Sequence, residues 1–172
     1  IPNRIRACIG LGNPGYEYAG TRHNIGFAVI DAVAEALKIE ISTQDGDCLY
    51  GSVSIGDEEV LLAKPLTYMN NSGIAVRTIV ERYGLAVSQV LVVVDDFHLP
   101  LGSIRIRPGG RDGGHNGLYS IIYHLQSTEF PRLRCGIGSD SMPGNRQLLA
   151  QFVLSRFEKH EWPIVHAMIQ RT

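Results

Sequence analysis

Val90-Leu91-Val92-Val93-Val94-Asp95-Asp96 is an unbroken apolar run that stops at two carboxylates. A strand that is apolar at every position is one buried on both faces, which requires cover on each side of its sheet. The carboxyl end of such a strand is also where open α/β sheets build their sites. Working outward, Arg4 to Ile9 reads as a strand that enters a glycine-rich loop, and Asn24 can cap a helix carrying Phe27, Ile30, Val33, Ala34 and Leu37 at helical spacing. Leu49–Ile55 and Val60–Ala63 pair as a hairpin about Gly56-Asp57. Ile74–Tyr83 is a helix stopped by Gly84. Ser103–Arg107 and Leu133–Ile137 alternate as strands, Leu118–Leu125 is a short helix, and Arg146–Arg171 is mostly helical. Strands and helices alternate with no repeat, low-complexity tract or linker. The expectation is an α/β fold: a single three-layer domain over residues 1–172, with a twisted mixed β-sheet flanked by helices.

Composition narrows the classes. The 172 residues suffice for one buried core, and 44% hydrophobic with 19% charged residues is ordinary for a globular chain. No apolar run approaches the roughly 20 residues that span a membrane. No charged-then-apolar leader is visible, and Cys8, Cys48 and Cys135 are odd in number and far apart. Both features point to a reducing, cytoplasmic setting without a disulfide framework. The chain opens at Ile1 rather than methionine, so a few residues are expected ahead of it. Net charge is −1, yet five arginines (Arg105, Arg107, Arg111, Arg132, Arg134) stand against two acids (Asp112, Glu129) between Ile104 and Arg134. Such a stripe is either a phosphate-binding face or a charged strand edge that resists aggregation.

Three sets of residues carry the chemistry. Gly10-Leu11-Gly12-Asn13-Pro14-Gly15 matches the glycine pattern of dinucleotide sites. That mechanism needs a helix to start inside the loop, whereas here the helical pattern begins only at Asn24. A nicotinamide-dependent oxidoreductase is therefore disfavoured. His23, in the same loop, becomes a good general base if a carboxylate orients it, and Asp95-Asp96 offers one. No serine or cysteine sits in a nucleophile elbow, so an activated water is the simpler nucleophile. Asn13, Asn70 and Asn116 each lie in a glycine-bearing loop, where an asparagine either caps a helix or recognises a peptide-like group. A metal held by Asp95, Asp96 and His98 lacks a second ligand cluster.

These blocks resemble the bacterial-type peptidyl-tRNA hydrolases. The resemblance rests on Gly10 to Gly15 with Tyr18, Gly20-Thr21-Arg22-His23-Asn24, and Pro65 to Gly73 with Tyr68 and Met69 at its centre. Asp95-Asp96 with Leu99-Pro100 and Gly102, Gly113-Gly114-His115-Asn116-Gly117, Arg132 to Gly138, and Phe152-Val153-Leu154 extend it. It runs in order from about Ile5 to Phe157. The implied activity is hydrolysis of the ester between peptide and terminal ribose in peptidyl-tRNA, by a water that His23 activates. The resemblance further implies that Asp96 holds the His23 ring and that Asn13 tells peptide-blocked substrate from free aminoacyl-tRNA. Tyr18, Tyr68, Met69, Asn70, His115 and Asn116 would line the substrate channel. Ester hydrolysis needs an oriented base, a water and oxyanion donors, so no metal or cofactor is required. Arg105, Arg107, Arg111 and Arg134 become candidate phosphate contacts, and the protein is expected to act as a cytoplasmic monomer on peptidyl-tRNA. The rival on this scaffold is a non-catalytic RNA-binding adaptor of the kind that serves splicing. Two departures from the family pattern stand out. Arg111-Asp112 replaces a histidine ahead of Gly113, and the tail after Phe157 matches loosely, so the helical cover at the C-terminus is expected to be short.

Overall fold

The computed structural model describes residues 4–172. Val90–Pro100 forms the longest strand, β5, and it runs beyond the apolar stretch to Pro100. The other strands are β1 (Ala7–Gly10), β2 (Thr43–Asp45), β3 (Cys48–Ile55), β4 (Glu58–Pro65), β6 (Ile104–Arg107) and β7 (Arg132–Gly138). They form one sheet in the order β2-β3-β4-β1-β5-β7-β6. The interior pairs β4–β1, β1–β5 and β5–β7 are parallel, and the flanking pairs are antiparallel. The mixed sheet thus has its parallel part at the centre, where the apolar run of β5 belongs.

Helices α1 (Ile25–Leu37), α2 (Ser72–Tyr83), α3 (Asn116–Leu125), α4 (Arg146–Val153) and α5 (Trp162–Gln170) complete the chain. Two apolar clusters separate the layers. Val90, Val92 and Val94 of β5 pack with Val76 and Ile79 of α2 and Leu118 and Ile121 of α3. Val93 packs instead with Ile25, Val29 and Ile30 of α1 and Val165 and Met168 of α5. Alternation along one strand therefore feeds two cores, as period-2 geometry requires.

Two differences from the sequence expectation have physical causes. Strand β2 (Thr-Gln-Asp) is short and half-exposed, so no hydrophobic pattern marks it. The helical stretch from Arg146 splits into α4 and α5, because Pro163 lacks an N–H and fits only the first turn of a helix. The last part of β5 also bulges. Asp96 pairs with Gly136 and the next register pair is Pro100 with Gly138, so four residues of β5 advance against two of β7.

What places the glycine loop over the sheet is a close backbone approach. A Cβ on Gly10 would lie 2.1 Å from the Gly26 carbonyl oxygen, and one on Gly26 would lie 2.5 Å from Leu11 N, Leu11 O and Val93 O. Helix α1 can rest on the ends of β1 and β5 only because both positions lack a side chain. Gly26→Ala is expected to destabilise the fold by about 3 kcal/mol or more, since three backbone atoms cannot yield as a side chain would. A denaturant titration that placed the variant within 1 kcal/mol of the parent, about the spread of ordinary surface substitutions, would contradict this packing.

Candidate active site

The loops after β1 and β4, the carboxyl-terminal part of β5 and the turn before α3 converge on one cleft of about 450 Å³. Asn13, Tyr18, His23, Tyr68, Met69, Asn70, His115 and Asn116 all line it, so the residues singled out around the substrate channel are brought together. Helix α4 supplies the wall that the sequence did not reveal: Arg146, Leu149, Ala150 and Val153, with Leu154 after it. Positions 146, 149, 150 and 153 follow helical spacing, a signal that would equally well mark a core-facing stripe.

At the floor of the cleft lies Asp95, 2% exposed. His23 Nδ1 is 2.9 Å from each of its carboxylate oxygens, and His115 Nε2 is 2.9 Å from Oδ1. The expectation that Asp96 holds His23 is therefore corrected to Asp95. Asp96 pairs with the Arg134 guanidinium and accepts the His98 backbone N–H at 2.8 Å. The reason is alternation: Asp95 shares its side of β5 with Val93, beneath α1 and the His23 loop, whereas Asp96 follows Val92 and Val94 to the other side.

The proton positions follow from the hydrogen bonds. Gly117 N–H and Leu118 N–H donate to His115 Nδ1 at 3.1 and 3.2 Å, so that nitrogen must present its lone pair. His115 Nε2 therefore carries the proton and donates it to Asp95. His23 donates from Nδ1, which leaves its Nε2 lone pair for the cleft. Burial opposes the charged form of Asp95, but the two histidine donors outweigh it and hold this carboxyl well below the usual carboxylate range. Burial likewise opposes protonation of His23, and the adjacent Asp95 charge and hydrogen bond reverse that, so its pKa is raised.

The same three side chains place ligand atoms within 4.8 Å of one another, a set that could hold a metal ion. A metal on His115 Nε2 would need the lone pair there, while the backbone N–H pair already uses the one on Nδ1. The ring would have to become an imidazolate or give up its cap of α3, so the proton network suits hydrogen-bond chemistry better. Thiol chemistry is equally disfavoured. Burial pushes the Cys8 thiol up to about 11 and those of Cys48 and Cys135 to about 12.

Neither Asn24 nor Asn116 caps its helix through its side chain. Asn24 lies just before α1 but spends its side chain on Asn13: it accepts Asn13 N–H and donates to Asn13 C=O, both at 2.9 Å. Asn13 Oδ1 in turn accepts Met69 N–H at 2.7 Å, which fixes the amide and leaves its NH2 as the group it can offer the cleft. Residue Tyr68, just before, takes φ 63° and ψ 159°, a conformation close to glycine-only, and its ring meets Tyr18 edge-on at 6.3 Å. The cap of α3 is His115, with Asn116 the first helical residue. Asp112, in the Arg111-Asp112 pair ahead of Gly113, closes its own turn by accepting Gly114 N–H at 2.9 Å.

The arginines divide. Arg107, Arg111 and Arg134 line a second cavity of about 170 Å³ that shares Asp95 and His115 with the cleft. Arg105 sits directly opposite Arg134 across the β6–β7 pair but does not line that cavity. Arg132 is only 2% exposed and braces the loop before α3 by donating to the Arg111 carbonyl at 3.1 Å.

An α/β sheet carrying a buried His–Asp–His relay in an amide-lined cleft defines a protein class built for acid–base chemistry on a carbonyl compound. The comparisons with known proteins narrow it. The peptidyl-tRNA hydrolase family model matches residues 7–172. The chain is 48% identical to a peptidyl-tRNA hydrolase of Geobacillus thermodenitrificans, covering 97% of this chain and 88% of that one. Against the Aquifex aeolicus protein of the same name the identity is 44%, with 97% and 85% covered. The crystal structure of peptidyl-tRNA hydrolase from Acinetobacter baumannii superposes with a TM-score of 0.91 at 36% identity, covering 98% of this chain and 84% of that one. The chain belongs to the peptidyl-tRNA hydrolase family.

The geometry fixes the outcome of an acid-swap experiment. Asp95→Asn removes the charge and weakens the hydrogen bond that raise the His23 pKa, leaving burial, which lowers it. The ascending limb of a kcat/KM–pH profile should then move to lower pH, with a plateau reduced on the order of a hundredfold as the ring loses its orienting anion. Asp96→Asn should leave that limb in place. A shift in the second variant and none in the first would restore the Asp96 assignment.

Proposed function

We propose that this protein hydrolyses the ester linking a peptide to the terminal ribose of tRNA, with His23 as general base and Asp95 as its orienting anion. The observation that carries the reading is the His23 ring, whose Nδ1–H is spent on a buried carboxylate while Nε2 is left to face the cleft. A water on Nε2 loses its proton to the ring as its oxygen bonds to the ester carbonyl carbon. The carbonyl oxygen takes the negative charge, and the amide N–H groups of Asn13, which is fixed by Met69, and of Asn116 are the donors nearest in kind to what an oxyanion needs. Collapse of the tetrahedral adduct breaks the bond to the ribose oxygen, which leaves with the proton held by the His23 imidazolium. Peptide carboxylate and free tRNA are the products. Family membership and the relatives' name support peptidyl-tRNA as the substrate.

Asn13 would discriminate peptide-blocked from free aminoacyl ends, because its fixed NH2 offers a donor to a peptide carbonyl and cannot pair with a free ammonium. Tyr18, Tyr68, Met69, Asn70 and His115 would form the rest of the channel. Arg107, Arg111 and Arg134 would receive tRNA phosphate. Arg105 faces Arg134 and Arg107 faces Arg132 across β6–β7, which concentrates positive charge on this face, and phosphate would offset it. We further propose action as a monomer, and the three cysteines, none in a disulfide, fit a reducing cytoplasm.

His23→Ala is expected to lower the turnover of N-acetyl-aminoacyl-tRNA by a hundredfold or more, roughly the contribution of a positioned base. Near-normal turnover would sink the mechanism. Arg107→Gln should reduce the slope of log affinity against log salt by about one for tRNA binding, as loss of one phosphate contact requires. An unchanged slope would remove this arginine from the tRNA face.

A further inference from the structure

The residue before the base has its own set of partners. Arg22 is 4% exposed, and its guanidinium NH1 meets both carboxylate oxygens of Glu161, at 2.9 and 3.1 Å. Its Nε donates to Ser155 Oγ at 3.1 Å. Two rings flank the guanidinium, Phe152 at 4.5 Å and Phe157 at 5.1 Å from their centroids. The backbone repeats the attachment: Arg22 N–H donates to the Ser155 carbonyl at 2.9 Å, and Thr21 pairs antiparallel with Arg156. Glu161, itself buried, also accepts Glu158 N–H at 2.7 Å, which closes the turn between α4 and α5.

Helix α4 gives this arrangement its consequence. None of its residues is fully buried, although Leu149, Ala150 and Val153 form one wall of the cleft. With no residue fully buried, α4 depends on the partial packing of Phe152 and Val153 at its C-terminal end and on its end contacts. Its N-terminal end has the Asn145 cap, whose Oδ1 accepts Leu148 N–H at 2.8 Å. Its C-terminal end, through Phe152 and Ser155, rests on Arg22. The guanidinium is thus the joint between the wall and the loop that carries His23.

We infer that Arg22, locked by Glu161, is a positioning residue that sets the distance between the apolar wall of α4 and the His23 imidazole, and so sets the grip on the peptide portion of the substrate. This rests on the reading of the cleft as a peptidyl-ester site. Arg22 touches no reacting atom. A planar guanidinium serves here because it can pair with a carboxylate through its N–H groups while its delocalised charge lies against aromatic rings, which a compact lysine ammonium does less well.

The inference separates from a merely structural role by which kinetic constant moves and for which substrate. Arg22→Lys and Glu161→Gln should raise KM about tenfold for tRNA carrying a blocked apolar tripeptide, with kcat nearly unchanged, as loss of uniform binding requires. For N-acetyl-glycyl-tRNA, whose short chain does not reach the wall, KM should stay within about twofold of the parent value. Amide hydrogen exchange in the ligand-free protein should accelerate over residues 146–154 and remain unchanged in β5. Should the arginine variant fail to fold, Phe152→Leu removes one stacked ring and keeps the ion pair, and the same split is expected with a smaller amplitude. Equal losses on both substrates, or unaltered exchange in α4, would overturn the inference. Failure of the parent protein to cleave either substrate would instead remove the esterase reading, while the exchange data would still decide the joint.

Discussion

A single carboxylate, that of Asp95, is removed from water at the end of β5 and given two histidine donors in exchange. Burying an unpaired anion costs several kcal/mol, so the fold is constrained to deliver those donors and to deliver them in one protonation state. They arrive from opposite layers: His23 from the loop that leads into α1, and His115 from the cap of α3. The cap does more than start a helix. By using the lone pair of His115 Nδ1, the first N–H groups of α3 force the proton onto Nε2, where it satisfies Asp95. Asp95 in turn orients His23. A relay of hydrogen bonds thus runs from a helix N-terminus to the one nitrogen that faces the cleft.

The geometry of the loops serves that relay. Gly10 and Gly26 let α1 lie against β1 and β5, which brings the end of the glycine loop over Asp95. Within the loop, Asn24 reads the backbone of Asn13 from both its donor and its acceptor, and Asn13 reads the backbone of Met69. Two loops far apart in sequence, one after β1 and one after β4, are cross-braced by amide groups, and one of those amides keeps its NH2 for the cleft. Asparagine suits this task because it pairs with a peptide unit without bringing charge into a site whose electrostatics depend on one anion.

The fold class was legible because the signals that carried it are local. An apolar run buried on both faces, glycine stops and helical spacing depend on neighbouring residues only. The participants in the site were legible for different reasons: His23 and the three asparagines sit in loops whose glycine content betrays an enforced path, while Tyr18, Tyr68, Met69 and His115 were carried by the family resemblance. The identity of the orienting acid was not legible. In a strand apolar at every position, the pattern holds no phase that says which side position 95 faces, so Asp95 and Asp96 are equivalent on paper. Likewise α4 shows an amphipathic stripe, and the sequence does not say whether that stripe meets a core or a cleft.

By itself, then, the sequence determined the order and type of most elements, a mixed sheet with one strand buried on both faces, and most of the side chains that meet in the cleft, because each is written in periodicity or in residues with few conformational choices. Tertiary structure alone decided that Asp95 rather than Asp96 meets His23, that His115 joins them, and that Asp96 is turned to Arg134. It also decided that Arg22, next to His23, is tied to Ser155 and Glu161 beyond α4. Those outcomes depend on which face of a strand looks at which helix, and on contacts between residues as distant as Arg22 and Glu161, which no short-range pattern encodes.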